Sequence, residues 1–342
     1  MADVAVRIRP VLPPIREPTD GDALRSDLDE RGFAAVKVMS AQDATAHRTR
    51  LEEVMRQVRP SGDTPHGGKG CGFCPAYGAA QHADMWELRL NENLRTAYAS
   101  IYGCTVEELA VSADNVFFLG TDGHRDRRPT ASALSHRNAS KAVRAATGSS
   151  LSLHKDVGAQ DTFGVRFEAL LAARNLNYTR SVQGQILLTC VDEHRAGLVL
   201  VEGDMDFALD DQQRFFSNVD TDFCTCTDAA YEAFRHRLIK PCVPEGTALL
   251  WRSDRVHANC KADAGTDPTR AGIFVTWHPR VCAYDADLKM QFICQGRTGT
   301  HWPLLLQRWR AAGSHFSNKN GESKAIRPTF SEALRARILA AV

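Results

Sequence analysis

The sequence predicts an α+β chain with a mainly β core, an antiparallel sandwich or barrel packed against helices at both ends. Three observations predict it. Short β-type runs at 110–119, 181–191, 197–201, 246–251 and 272–277 follow one another without long helices between them, which argues against a doubly wound parallel sheet. Helical periodicity is concentrated before residue 105 and at the C-terminal end. The 342 residues are 43% hydrophobic and 24% charged, the balance of a globular chain with ample material for a core.

In chain order, residues 1–20 read as an extended arm, broken by Arg and Pro. Residues 21–312 read as a single domain, with a helical layer over 40–105 and a β core over 110–280. Phe33 to Val38 is an apolar strand. Ser40, with Asp43 three positions on, resembles a capping box, and Leu51, Val54, Met55 and Val58 follow at helical spacing before Pro60. Residues 60–82 hold six glycines and three prolines and form a long loop, a length often used for lids or binding loops. A second helix covers Asn91 to Tyr102. Between the later strands, 208–216 and 227–238 read as short helices. A polar linker after Gly313 precedes a closing amphipathic helix from Phe330 to Val342.

Charge and composition exclude several classes. Lys and Arg total 42 against 41 Asp and Glu, so no global field draws the protein to nucleic acid or to an acidic membrane. No run of 18 apolar residues is present, and the N-terminus lacks an apolar signal stretch, so the expected location is cytoplasmic. The ten cysteines are expected as thiols. Cys71 and Cys74 have CxxC spacing but no second such pair, which weakens a zinc site, and no βαβ unit supports a redox pair.

The chemistry-bearing pattern is Leu-His154-Lys155-Asp156-Val. On an extended segment, side chains alternate, so an imidazole and a carboxylate converge while Lys155 turns the other way. That supplies two legs of the facial arrangement in which two His and one carboxylate hold Fe(II). His-x-Asp alone is weak and also fits a surface turn. The third leg must come from an adjacent strand, and His257 follows the apolar run Gly246-Thr-Ala-Leu-Leu-Trp251 and a polar turn. Arg270, thirteen residues on, would begin the partner strand if 261–269 is a loop, and a buried guanidinium there offers a fork for a distal carboxylate. Iron with a 2-oxo diacid anchored on arginine is the requirement of 2-oxoglutarate oxygenases.

From about residue 22 to 280, the chain resembles the phytanoyl-CoA dioxygenase-like family of Fe(II)/2-oxoglutarate oxygenases. The resemblance is carried by Leu28-Asp-Glu-Arg-Gly-Phe-Ala-Ala-Val-Lys, by His154-Lys-Asp156, by Ser181-Val-Gln-Gly-Gln-Ile-Leu-Leu-Thr with Ala196-Gly-Leu-Val-Leu-Val-Glu-Gly-Asp, and by Gly246-Thr-Ala-Leu-Leu-Trp with His257 and Arg270. It implies a double-stranded β-helix (jelly-roll, cupin-like) core. It further implies His154, Asp156 and His257 as iron ligands, Arg270 as the 2-oxoglutarate anchor, and Asn259 where a small hydroxyl residue often assists that anchor. Ascorbate is a possible reductant for such enzymes. A carboxylate at Asp156 disfavours a halogenase, which needs that position vacant.

Around these, Gln185 is assigned to the cosubstrate and Gln183, on the same strand face, to the substrate; outward-facing glutamines are the alternative. Lys155, Asn115, Phe117 and Trp251 complete the substrate-side set, with plain core packing the alternative for the last three. His194, in a polar turn, and His278, at a strand end, are not expected as ligands. The expected partner is a small molecule or an acyl conjugate. Two other readings stay open: the same chemistry on a modified nucleobase, for which Arg125 to Arg128 could supply a local basic stripe, and a binding protein without catalysis.

Overall fold

Alternation along each strand sorts apolar side chains onto two faces, and the observed register turns that alternation into layers. The computed structural model describes residues 8–58, 73–74, 78–119, 153–158, 162–203, 209–260, 262–263, 265–267, 269–305 and 326–342. One seven-stranded sheet runs in the order β1 (Arg9–Val11), β12 (Leu238–Pro241), β9 (Gly197–Val201), β14 (His257–Cys260), β7 (His154–Lys155), β11 (Cys224–Cys226) and β10 (Phe216–Ser217). A second runs β2 (Ile15–Arg16), β3 (Phe33–Lys37), β13 (Thr247–Arg252), β8 (Val182–Leu187), β15 (Arg270–Phe274), β6 (Val116–Leu119) and β4 (Phe73–Cys74). β5 (Leu109–Val111) and β16 (Trp277–Pro279) pair separately. The pairs within the two large sheets are antiparallel except β1 with β12 and β2 with β3.

Between the two sheets, Leu198 and Leu200 meet Phe33, Ala35, Phe117, Leu187, Leu249 and Trp251. The intervening residues of the first sheet, Val199, Val201, Ala258 and Cys260, face outward onto Tyr231 and Phe234 of the helix Asp228–Phe234. Those of the second, Ala34, Val36, Ile186, Leu250, Ala271 and Ile273, pack under a helical layer through Leu24, Leu28, Leu94 and Tyr98. The second sheet is therefore covered on both faces, and the cleft between the sheets is where polar side chains are free to gather.

The helical layer comprises α1 (Gly21–Glu30), α2 (Ala41–Val58), α3 (Ala83–Arg89) and α4 (Glu92–Tyr102). Ser40 caps α2, its Oγ accepting from Asp43 N at 3.1 Å, and Asn91 caps α4, its Oδ1 accepting from Leu94 N at 2.9 Å. Four outcomes differ from the sequence reading. The arm is seated: β1 and β2 extend both sheets as edge strands. α1, absent from the sequence reading, is a helix capped by Asp20 whose buried Asp27 pairs with Arg16 (Nε to Oδ2 2.7 Å). The run 110–119 breaks into β5 and β6, serving different sheets. The helices Phe163–Ala173 and Ala286–Cys294 were not foreseen. The closing helix spans Glu332–Ala341.

The 60–82 loop lies largely outside the described residues, as do Cys71, Arg125 to Arg128 and most of the linker after Gly313. The eight cysteines whose side chains are described carry free thiols. Among the described residues, no helix is long and apolar enough to cross a membrane.

Gly272 lets the sheet close at its tightest point. It pairs with Phe117 across β15 and β6, and an ideal Cβ on it would stand 2.3 Å from the Phe117 ring and 2.3 Å from Ile186 O. Gly272→Ala should therefore cost about 1–3 kcal/mol by overpacking, read as a lowered urea midpoint at unchanged slope; an unchanged midpoint would mean that Phe117 has room to move.

Candidate metal centre

β7 lies between β14 and β11, with His154 opposite His257 on one side and Thr225 on the other. Period two then sends His154 and Asp156 into the cleft, while Leu153 joins the outer apolar cluster. Asp156 N donates to Ser253 O at 2.9 Å, tying the end of β7 to the turn after β13. The imidazole rings of His154 and His257 have centroids 4.3 Å apart. One ligand atom from each of His154, Asp156 and His257 lies within 4.8 Å of the others, and the three are 7%, 7% and 5% exposed.

The protonation of His257 follows from its partners. Its Nδ1 is 2.9 Å from Arg255 O, and a carbonyl only accepts, so Nδ1 carries the proton and Nε2 a lone pair. Burial, and then His154, hold His257 well below the usual imidazole value, so the ring is neutral at neutral pH. That lone pair faces Asp156 Oδ2 at 3.4 Å. Two acceptors opposed with no proton between them repel, and a cation placed between them converts the repulsion into coordination. Gln183 Nε2 donates to the same Oδ2 at 2.8 Å and holds the carboxylate in place. This donor set, two imidazoles and a carboxylate, fits a divalent first-row metal.

Further along β14, Asn259 stands two residues from His257 on the same face, about 7 Å away at strand spacing. Its Oδ1 accepts from Arg270 Nη2 at 2.7 Å. Arg270 opens β15, is fully buried, and lies with its guanidinium 4.4 Å over the Phe117 ring. Gln185 sits opposite Leu249 and Phe274, and neither of its amide atoms has a partner among the described residues. Asn115 extends that row through Phe274 N to Asn115 O; its Nδ2 donates to Asp114 Oδ1 at 3.0 Å, and its Oδ1 has no partner among the described residues. Trp251 packs 5.6 Å from the His257 ring, its Nε1 likewise without a described partner.

The cleft thus gathers His154, Asp156, His257, Arg270, Asn259, Gln183, Gln185, Asn115, Phe117 and Trp251. Lys155 is placed elsewhere: its Nζ bonds Gln212 Oε1 at 2.7 Å and stands 4.6 Å over Phe216, on the outer face of the sheet. His194 is exposed and bonded to Asp263. His278 is buried against Phe167, with Nε2 3.2 Å from Ser181 Oγ. Two neighbours escaped sequence reasoning. Phe223, 43% exposed, packs 4.7 Å from the His154 ring, and only an isolated aromatic in a polar turn signalled it. His301 lies within electrostatic reach of all three triad members, from a segment beyond the β core that no motif marked.

No protein-family model matches the chain, and no curated protein is similar to it in sequence. The likeness to known proteins lies in the structure. The epimerase SnoN, solved in complex with Fe3+, alpha ketoglutarate and nogalamycin RO, is 13% identical, with a TM-score of 0.50 over 86% of this chain and 98% of that one. The hypothetical protein JW0805 from Escherichia coli, solved at high pH, is 12% identical, with a TM-score of 0.51 over 86% of this chain and 79% of that one. GIG2 (DUF1479) from Candida albicans is 13% identical, with a TM-score of 0.48 over 78% of this chain; the chain spans 65% of the GIG2 chain. At such identities the likeness is one of fold: large β-sheets with packed helices, as in the 2-oxoglutarate-dependent SnoN.

Two outcomes follow from these contacts. Gln183→Leu removes the bond that orients Asp156 and should weaken divalent-metal affinity by about 10–100-fold in calorimetric titration, without unfolding the protein. Burial lowers His278 to about 3, so the unfolded chain takes up a proton near pH 6.5 that the folded chain refuses. Stability should accordingly fall as pH drops from 6.5 towards 3, by about 1.4 kcal/mol per pH unit from this group, and His278→Gln should flatten that slope. Parallel slopes in urea titrations of the two proteins would show that His278 protonates freely.

Proposed function

We propose that the chain is an Fe(II)- and 2-oxoglutarate-dependent oxygenase, with a double-stranded β-helix core within residues 21–312, that hydroxylates or otherwise oxidises a C–H bond of a small organic substrate. The observation that carries this reading is the opposition of a fixed lone pair on His257 and the Asp156 carboxylate at 3.4 Å beside the His154 ring. Kinship with the phytanoyl-CoA dioxygenase-like family is part of the proposal and rests on the sequence resemblance. That SnoN, of similar fold, was solved with iron and alpha ketoglutarate supports the choice of metal and cosubstrate.

When bound, Fe(II) with 2-oxoglutarate and O₂ supplies the oxidant for an unactivated C–H bond, and the cosubstrate leaves as succinate and CO₂. The chain's own residues orient and insulate. His154, Asp156 and His257 would hold the metal through two imidazole nitrogens and a carboxylate oxygen, and three protein ligands would leave positions for exogenous ones. Arg255 O fixes the His257 tautomer, and Gln183 fixes Asp156. Arg270 would present a buried charge to the distal carboxylate, steadied by Asn259. Gln185, whose amide atoms have no partner among the described residues, would bond the cosubstrate. Phe117 and Trp251 keep the cleft dry.

Anaerobic addition of Fe(II) and 2-oxoglutarate should give a weak visible charge-transfer band, absent in His154→Ala and His257→Ala. Arg270→Ala should raise the 2-oxoglutarate concentration for half-saturation of that band at least tenfold while leaving iron affinity near wild type; an unchanged requirement would remove the anchor assignment. Succinate release scored over panels of small metabolites and of modified oligonucleotides decides the substrate class, and the small-molecule panel is expected to respond.

A further inference from the structure

Residues 297–305 follow the helix Ala286–Cys294 and are pinned at three points. Gly299 N donates to Ala113 O at 2.9 Å. The Trp302 ring packs edge-on against Phe163 and Phe167, at 5.3 and 5.7 Å, beside Gly164, where an added Cβ would meet that ring at 3.1 Å. Lys289, fully buried, donates through Nζ to Val111 O at 2.5 Å and to Pro303 O at 2.8 Å. Burial holds the Lys289 amine well below its usual value, and its two bonds to carbonyls clamp this segment.

His301 sits inside the clamp, its ring 4.6 Å from Trp302. Its Nε2 is buried and has no hydrogen-bond partner among the described residues. The imidazole feels the charge of Asp156 and the rings of His257 and His154, yet it is not one of the cluster whose ligand atoms lie within 4.8 Å of one another. It is thus a neighbour of the triad and not a fourth member of it. An unpartnered buried nitrogen is costly, a burden that a partner from outside the chain relieves.

We propose that His301 is a further binding residue of this centre, its Nε2–H donating a hydrogen bond to a small anionic or carbonyl ligand held on the metal's open side. The proposal rests on the metal-site reading above. Burial lowers His301 to about 4, so the ring is neutral at neutral pH and carries one N–H, which a ligand acceptor at the buried Nε2 would draw to that nitrogen.

The test uses Co(II) as the metal and azide as the small anionic ligand, followed by the visible Co(II) bands. Wild type, His301→Ala and His301→Gln should bind Co(II) alike. His301→Ala should bind azide about tenfold more weakly, and His301→Gln, which keeps an N–H donor, should restore most of that affinity. Unchanged azide affinity in His301→Ala overturns the proposal, as does failure of His301→Gln to restore it. Loss of Co(II) binding in His301→Ala to the extent seen in His154→Ala also overturns it, since His301 would then be a ligand. A wild-type protein that does not bind Co(II) instead defeats the metal-site reading itself, and this proposal with it.

Discussion

The register of two short strands governs the rest of this structure. β7 has two residues, and its pairing places His154 directly opposite His257. Because side chains alternate with period two, a slip of one residue would turn His154 and Asp156 outward and bring Leu153 and Lys155 into the cleft. The alternation is enforced from both sides. Leu153 belongs to the outer apolar cluster, and Lys155 reaches Gln212 and Phe216 there, so an inverted β7 would bury Lys155 in the cleft without those partners and take Leu153 out of that cluster.

Polar residues survive inside the cleft because each that is not left for a ligand is held by another. Asp156 is bound by Gln183 and anchored through its backbone at Ser253; His257 is fixed by Arg255 O; Arg270 lies between Asn259 and Phe117. The unpartnered atoms of Gln185, Asn115 and Trp251 are the exception, and they face the same interior. A native fold rarely leaves so many buried groups unpaired in one place without something to bond them. The helical layer makes this possible: by covering the outer face of the second sheet it supplies enough apolar burial to carry a polar cleft on the inner one.

Much of the centre was legible in the sequence for a definite reason. His154, Asp156, His257 and Arg270 are placed by strand periodicity and by an apolar run before a turn, and such local patterns survive without knowledge of tertiary partners. The strands Phe33–Lys37, Thr247–Arg252 and Gly197–Val201 were legible likewise. What was not legible depended on distant contacts. The arm becomes strand only because β12 and β3 offer parallel edges. Asp27 is helical and buried because Arg16 pairs with it from the arm. Lys155 has its environment set by Gln212, 57 residues on, and the segment of His301 is held at Pro303 by Lys289 and through Trp302, without any motif to mark it.

The account stands or falls on whether three side chains share one cation. Anomalous diffraction at the metal edge from a crystal soaked in Co(II) tests this directly. A single strong peak about 2.0–2.2 Å from an imidazole nitrogen of His154, from Nε2 of His257 and from a carboxylate oxygen of Asp156 is the result expected. A cleft without a peak at saturating Co(II), or a peak bound by other residues, would contradict it.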